Sequence, residues 1–382
     1  MRFDLSRFDT SSDFDHSKYQ VLSYPIHYKR KYRFSPTVRV SARYRKLVSE
    51  IEEMDRLLGD IHLSADDYVT ALKDSYAINI RSSLISDDTG DRLSDVDDFI
   101  DAYHALDGKL VDSVGGPKQE IYNNIRAFAY GIGRGGDWDS DSLIRLHAML
   151  MDGVDDRVIP GNLRTDKHAH LDGNGNPVSV SCPPEYIRKE LDSLMGWLSG
   201  SPFDAICTGI MFVIELSGIY PFEYGGNRVS HTMFQTIVHD LGLKNIGFCR
   251  YDDLIDADRE AYDRLFNYAK AEQDYFPVAM YLAEKVHESY RLALSELGPK
   301  DLLDGGDGYM VVIARYARSI EDEFTVSEAC SWVPDVREQT VRTKLNSLVD
   351  LGILDRKGNT RNTRYRYNDL LRYLRSGCGM FG

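Results

Sequence analysis

Cysteine is scarce in this sequence, and the few present are scattered. No CxxC pair occurs, and the five cysteines are Cys182, Cys207, Cys249, Cys330 and Cys378. Their odd number and wide spacing argue against a disulfide framework and against a structural zinc site. A reducing compartment, the cytoplasm, is therefore expected for this protein.

Long apolar runs are also missing. No stretch of about 18 apolar residues occurs, so neither a membrane-spanning helix nor a membrane partner is predicted. The first 20 residues have no continuous apolar segment, which argues against a secretory signal. The 382 residues have the composition of a soluble globular protein, and their length predicts two or three domains.

Positive charge is deficient overall but concentrated near the C-terminal end. The formal net charge of −14 argues against nucleic-acid affinity for the chain as a whole. From residue 335 onward, ten Lys and Arg stand against five Asp and Glu, about +5, which leaves about −19 for the preceding residues. A basic module attached to an acidic body predicts a separate task for the C-terminal part.

The basic module has its own helix and strand pattern. Three helical segments are followed by two short basic segments that alternate around a turn, and Thr325 with Glu328 predicts a capping box. This order predicts a winged helix-turn-helix domain whose third helix enters the major groove of DNA. The predicted DNA contacts are Arg337, Arg342, Lys344, Arg361, Arg364 and Arg366. A winged domain used only for protein contacts or for homodimer formation is the alternative.

The rest of the chain is predicted to be mainly helical, with one exception at residues 160–182. There the turn residues DGNGNP separate two short extended pieces and predict a β-hairpin. His168 and His170 in this segment have no third metal ligand at a suitable spacing. A solvated hairpin tip is therefore expected for them, in preference to a metal site.

A glycine-rich turn, IYPFEYGGNRVSH at residues 219–231, connects two apolar helical segments. It resembles the Fic (Fido) signature HPFx(D/E)GN(G/K)RxxR. The segments PGNLRT, PPEYIRKELDSLMGWL and EIYNNIRAFAY also resemble Fic segments around the flap hairpin and the helical core. RSSLISDD resembles the inhibitory motif SSxIEG of one large Fic class, many of whose members carry a C-terminal winged helix.

The resemblance implies a fold and a domain order. The fold is mainly α, with a Fic helical core, a small β-hairpin flap and a C-terminal winged-helix domain. The implied N-terminal arm and helical segment cover residues 1–110, and the Fic core covers residues 111–298. A linker at residues 299–308 precedes the winged-helix domain at residues 309–382.

The aligned motif lacks the chemical groups on which the family depends. Tyr220 takes the position of the histidine general base, and Tyr224 takes the position of the acid that holds Mg²⁺. A phenol is almost fully protonated at pH 7, and general-base catalysis contributes roughly 10²–10⁴-fold, so most turnover would be lost. No metal ligand is predicted, except Glu223 if the loop were rearranged.

The phosphate-binding part of the motif is better preserved. The residues implied to bind phosphate or nucleotide are Gly225, Gly226, Asn227, Arg228 and His231, since a glycine-rich turn at a helix N-terminus offers backbone N–H groups to an anion. His231 replaces the family's second arginine. In the inhibitory motif Ser82 and Ser83 match, whereas Ser86 replaces the glutamate that pairs with that arginine. Both partners of the inhibitory ion pair are thus changed together with the base.

Three functional hypotheses follow. The leading one is a cytoplasmic, bacterial regulator whose degenerate Fic core binds a nucleotide or anion, or serves as a scaffold, and whose winged helix binds DNA or a partner. The alternative is a protein adenylyltransferase, or a related phosphate-group transferase, that uses ATP with Mg²⁺ and docks a target protein at the flap hairpin by strand addition. The third is a partner-binding scaffold that needs no cofactor.

Overall fold

The computed structural model describes residues 5–10, 12, 14–61, 116–154, 158–297, 308–320, 323–334, 336–350, 354–358 and 363–367. The chain divides into two compact units. The larger unit comprises Ser6–Gly59 and Leu72–Ala293, and the smaller comprises Leu294–Gly382 with Met1–Leu5 and Asp60–Ala71.

Some sequence-based predictions fall outside the described residues. These are the inhibitory-motif residues Ser82, Ser83 and Ser86 and the DNA contact Arg361. The boundaries expected after residues 110, 298 and 308 stay predictions.

The larger unit is built mainly from helices. In chain order they are α1 (Ala42–Gly59), α2 (Gly116–Gly133), α3 (Ser140–Met151), α4 (Ile187–Leu198), α5 (Ala205–Ile219), α6 (Gly226–Asp240), α7 (Tyr251–Asp256), α8 (Arg259–Glu272) and α9 (Phe276–Leu297). This architecture confirms the mainly α fold that the sequence predicted. Within the described residues, no helix combines the length and the apolar character needed to cross a membrane.

Helix α5 lies at the centre of the larger unit. Its sequence, AICTGIMFVIELSGI, is apolar on nearly every face, and such a helix is stable only when neighbours surround it. It packs against α4 and α6, and α6 in turn contacts α2 and α3. Gly209 allows the close approach of α6, since a Cβ there would come 2.8 Å from the Phe234 ring. Asp204 caps α5 by accepting hydrogen bonds from the backbone N–H groups of Ile206 and Cys207.

A small sheet covers one end of this helical core. Strands β1 (Ile26–His27), β2 (Ala169–Leu171) and β3 (Pro177–Val180) form it in the order β1-β3-β2. The antiparallel pair β2–β3 is the hairpin that the sequence predicted, and β1 from the N-terminal arm pairs with β3 in parallel.

One buried carboxylate ties the N-terminal arm to the core. Glu190 on α4 is 2% exposed and accepts hydrogen bonds from the Tyr28 hydroxyl and from the Lys31 backbone N–H, both at 2.9 Å. Ile26 and Phe34 on either side of these contacts are buried. The arm is therefore a packed part of the larger unit.

The smaller unit contains three helices and three strands among its described residues. They are α10 (Gly308–Ser319), β4 (Phe324–Thr325), α11 (Val326–Trp332), α12 (Glu338–Asp350), β5 (Leu354–Lys357) and β6 (Arg364–Tyr367). The strands form an antiparallel sheet in the order β4-β6-β5 over a common core that includes Ile313, Phe324 and Leu345. The predicted capping box at Thr325 and Glu328 is present at the start of α11.

Candidate functional site

The loop between α5 and α6, residues 220–225, is termed the motif loop. It begins at Tyr220, which ends α5 in the left-handed region with φ 47° and ψ 65°. It ends at Gly225, which has φ 72° and immediately precedes α6. A positive φ is uncommon for a residue other than glycine, so surrounding contacts must hold Tyr220 in place.

Arg164 supplies many of those contacts. This residue is 7% exposed, and its guanidinium donates hydrogen bonds to the backbone carbonyls of Tyr220 at 2.5 Å, Ile219 at 3.1 Å and Cys182. Its own backbone N–H donates to the carbonyl of Pro221 at 2.9 Å. A cation at a helix C-terminus satisfies carbonyls that have no partner within the helix. Arg164 therefore fixes the direction in which the chain leaves α5.

His147 on α3 fixes the middle of the motif loop. Its Nδ1 accepts a hydrogen bond from the backbone N–H of Gly161 at 2.9 Å, so its Nε2 carries the proton and donates to the carbonyl of Tyr224 at 3.0 Å. Its ring stacks on Phe222 with centroids 3.9 Å apart. Burial lowers the pKa of His147 to about 4, so the imidazole is neutral at pH 7.

The Tyr220 ring lies against the hairpin. It stacks on His168 with centroids 4.0 Å apart, and it meets His170 edge-on at 4.9 Å. Burial lowers the pKa of both histidines, that of His170 to about 4, so both are neutral at pH 7. His170 is exposed, as the prediction of a solvated tip expects, and His168 is half-buried, yet both rings form an aromatic cluster with Tyr220. Within the described residues, no group of three or more His, Cys, Asp or Glu could hold a metal ion.

The cation of the motif faces the interior. Arg228 in the first turn of α6 is 2% exposed, and its Nη2 lies 3.8 Å from Oε1 of Glu120, whose side chain is 4% exposed. Its Nη1 lies 3.8 Å from the sulfur of Met151. A buried pair of opposite charges balances the cost of removing both from water. The guanidinium that the sequence predicts as a phosphate ligand therefore already has a carboxylate beside it.

The remaining motif residues differ in exposure. Glu223 and Tyr224 lie at the outside of the loop, and Tyr224 is 44% exposed. Asn227 and His231 on α6 line a cavity of about 140 Å³ that α7 and α8 enclose on the other side. Within it, His231 Nδ1 lies 3.6 Å from Oδ1 of Asp252. The structure thus brings Asn227 and His231 to one cavity, while Arg228 points to Glu120.

Three important partners were not identified from the sequence. Glu120 and Asp252 lie on helices far from the motif, and Arg164 belongs to a quoted segment, PGNLRT, without an assigned role. A charged residue within a helical apolar pattern was the available signal for Glu120. No local pattern indicates which buried charge it meets.

The smaller unit carries the predicted DNA contacts on two surfaces. On α12, Arg342 donates two hydrogen bonds to Glu338, at 2.7 and 3.0 Å, so its charge is balanced within the helix. On the sheet, Arg364 and Arg366 are exposed, and Arg364 stands opposite exposed Lys357. Lys357 is paired with Glu323, since its Nζ lies 3.1 Å from Oε1 of that residue, and Arg366 stands opposite Asp355. This face of β5 and β6 therefore has an excess of positive charge that acidic neighbours partly balance.

Comparisons with known proteins agree with the helical fold. Residues 137–238 match the family model described as Fic/DOC family. The comparison with curated proteins finds no match. A solved Fic family protein from Desulfovibrio desulfuricans G20 is 19% identical with a TM-score of 0.54, and the alignment covers 87% of this chain and 98% of that chain.

Two further solved structures are similar. A Fic domain containing signaling protein from Bacteroides thetaiotaomicron VPI-5482 is 12% identical, with a TM-score of 0.49 and coverage of 68% of this chain and 100% of that chain. Fic-1 (aa134–508) from C. elegans is 15% identical, with a TM-score of 0.48 and coverage of 67% of this chain and 73% of that chain. The fold is therefore similar to that of the Desulfovibrio Fic family protein, and the match to the Fic/DOC family model lies within the larger unit.

A pair of glycine substitutions tests the backbone of the motif loop. Gly225→Ala would force a side chain onto φ 72° and place its Cβ 2.4 Å from the Met151 sulfur. We expect the free energy of unfolding to fall by roughly 2–4 kcal/mol, measured by urea denaturation. Gly226→Ala is the control, because its Cβ would meet nothing closer than Tyr220 Cε2 at 3.8 Å. Equal losses in both variants would contradict this account of the loop.

The buried His147 predicts a pH dependence of stability. The unfolded chain takes up a proton at this histidine as the pH falls through about 6.5, whereas the folded chain resists until the pH is about 4. Folding is therefore weakened across that window, by on the order of 3 kcal/mol for this group. We expect His147→Asn to lose less stability than the wild type between pH 7.5 and about 4.5 in urea unfolding.

A matched variant isolates this effect. His27→Asn removes an exposed histidine and should keep the pH dependence of the wild type. If His147→Asn loses stability with falling pH as steeply as the wild type, His147 is not the buried neutral group described above.

Proposed function

We propose that this protein is a degenerate Fic-domain regulator, whose core binds a nucleotide without transferring part of it and whose smaller unit binds DNA. The observation that carries the proposal is the cavity of about 140 Å³ beside α6. This cavity is large enough for a ligand and has polar side chains in its wall. Tyrosines, however, occupy the motif positions of the base and the metal ligand.

Loss of transfer chemistry follows from the groups around the motif loop. In the alignment with the Fic signature, Tyr220 stands at the base position, and its ring is packed between His168 and His170. Tyr224 stands at the position of the metal ligand, and a neutral phenol binds Mg²⁺ weakly compared with a carboxylate. Arg228, which matches an arginine of the Fic signature, is balanced by Glu120. Each of these features weakens a different requirement of nucleotidyl transfer.

Nucleotide binding has separate support. The N-terminus of α6 directs backbone N–H groups toward the motif loop, and Asn227 in its first turn lines the cavity. Aromatic side chains, Phe234, Tyr262 and Phe266, line the same cavity and suit a planar base. A base in the cavity with its phosphate near the start of α6 fits both features.

The element order of the smaller unit supports the DNA-binding part. The order helix, strand, helix, helix and two strands is the order expected of a winged helix, in which α12 would be the recognition helix. On the face formed by β5 and β6, exposed Arg364 and Arg366 supply positive charge that a polyanion would neutralise. A Fic core that responds to a ligand could then alter the DNA affinity of the attached unit.

Nucleotide binding is tested with Asn227→Asp. We expect calorimetry to detect binding of ATP or GTP to the wild type and at least a tenfold weaker affinity in the variant, because the new carboxylate repels phosphate. An acid in the first turn of a helix stabilises the helix, so the melting temperature should not fall. Asn174→Asp at the exposed hairpin tip is the control and should bind as the wild type does.

The same protein distinguishes the alternatives. Incubation with labelled ATP or GTP and Mg²⁺ should leave no label on protein. Label that is covalently attached and lost in Arg228→Ala would support the adenylyltransferase alternative. If no nucleotide tested binds, the proposal that the core binds a nucleotide is wrong, and the scaffold hypothesis is favoured.

DNA binding is tested by its salt dependence. We expect the affinity for duplex DNA to fall steeply with salt, and the double variant Arg364→Ala, Arg366→Ala to lower the log–log slope by about two. Arg39→Ala removes an exposed arginine from the larger unit and should leave the slope unchanged. Absence of binding at low salt on diverse sequences would contradict this part of the proposal.

A further inference from the structure

The cavity beside α6 has a chemical character of its own. Its volume of about 140 Å³ is close to that of an engineered cavity of about 150 Å³ that binds benzene, so it has room for the six-membered ring of a planar base. Phe234, Tyr262 and Phe266 form apolar parts of its wall. Such a wall suits the face of a planar ring, and it leaves recognition of the ring's edge to the polar groups.

Asp252 is the buried polar group of this wall. Its side chain is 4% exposed, and its Oδ1 lies 3.6 Å from Nδ1 of His231. Its Oδ2 has no hydrogen-bond partner among the described residues. An ionised carboxylate accepts hydrogen bonds and donates none, and an acceptor buried without a donor is costly. A ligand that donates N–H hydrogen bonds to Asp252 would therefore be favoured in the cavity.

The other charges at the cavity are balanced by one another. Arg259 approaches Asp256 at 3.5 Å and Asp263 at 3.1 Å. Asp256 lies on α7, and Arg259 and Asp263 lie on α8; together they form a surface network of ion pairs. Asp252 and the neighbouring His231 are the other titratable acid and base at the cavity, beside the neutral polar side chains Asn227 and Ser230 of α6.

We propose that this cavity recognises a guanine-type base, and that Asp252 accepts the hydrogen bonds of its N1–H and 2-amino groups. This inference rests on the proposed function, since it names the nucleotide that the core binds. Guanine offers two adjacent N–H donors on one edge, which matches a carboxylate. Adenine places a ring nitrogen with a lone pair beside its single amino group, and that lone pair would face the Asp252 carboxylate.

Three closely related nucleotides test whether the cavity recognises guanine. Guanosine, inosine and adenosine 5′-monophosphates carry the same ribose and phosphate, so differences in their affinity report on the base. Inosine differs from guanosine only by the missing 2-amino group. We expect GMP to bind at least tenfold more tightly than IMP or AMP in calorimetric titrations of the full chain.

Two variants assign the preference to Asp252. Asp252→Asn keeps the size of the side chain but replaces one acceptor by a donor, so the preference for GMP over IMP and AMP should fall below twofold. Asp253→Asn makes the same change at the adjacent exposed position and should keep the tenfold preference. Melting temperatures of both variants confirm that they are folded.

The titrations test the guanine assignment, the role of Asp252 and the nucleotide-binding core separately. Equal binding of the three nucleotides, or tighter binding of AMP, would overturn the guanine assignment and leave the nucleotide-binding core intact. A preference for GMP that survives in Asp252→Asn would overturn the role of Asp252. If GMP, IMP, AMP, ATP and GTP all fail to bind, both the guanine assignment and the proposal of a nucleotide-binding core are wrong.

Discussion

The position of the motif loop depends on the contact between Arg164 and the C-terminal end of α5. This side chain bonds the carbonyls of Ile219 and Tyr220, and through Cys182 it also holds the segment that follows the hairpin. The end of a buried helix leaves carbonyls that water cannot reach, so a multivalent donor is required there. One guanidinium thereby joins α5, the motif loop and the hairpin into a single frame.

The motif loop has well-formed packing contacts, but the charged groups near it point elsewhere. Phe222 and His147 stack, and His147 donates a hydrogen bond to the Tyr224 carbonyl, so both residues hold the motif loop in place. The charged groups are arranged differently, because Arg228 faces Glu120, while Asp252 lines the adjoining cavity together with Arg259, which is paired with Asp256 and Asp263. The motif arginine therefore lies beside a carboxylate of the core, and a different carboxylate, Asp252, belongs to the cavity wall.

Features that depend on local sequence could be predicted. The helices α5 and α6, the hairpin at DGNGNP and the capping box at Thr325 follow from apolar period, turn residues and spacing. Pairings between distant segments could not, because the sequence places Glu120 and Asp252 in ordinary helical patterns. Many surface carboxylates share those patterns, and only the packing of α2 on α6 and of α7 beside it selects the two that meet the motif.

The arm strand β1 also determines how the hairpin can interact with other chains. Because β1 pairs with β3, it satisfies hydrogen bonds along that side of the hairpin, and among the described residues the two edge strands of the sheet are β1 and β2. An extended peptide joining the hairpin itself would therefore add beside β2, next to Leu171, which is 60% exposed. To reach β3, it would have to compete with a segment of the same molecule, whose effective concentration no diffusing peptide easily matches.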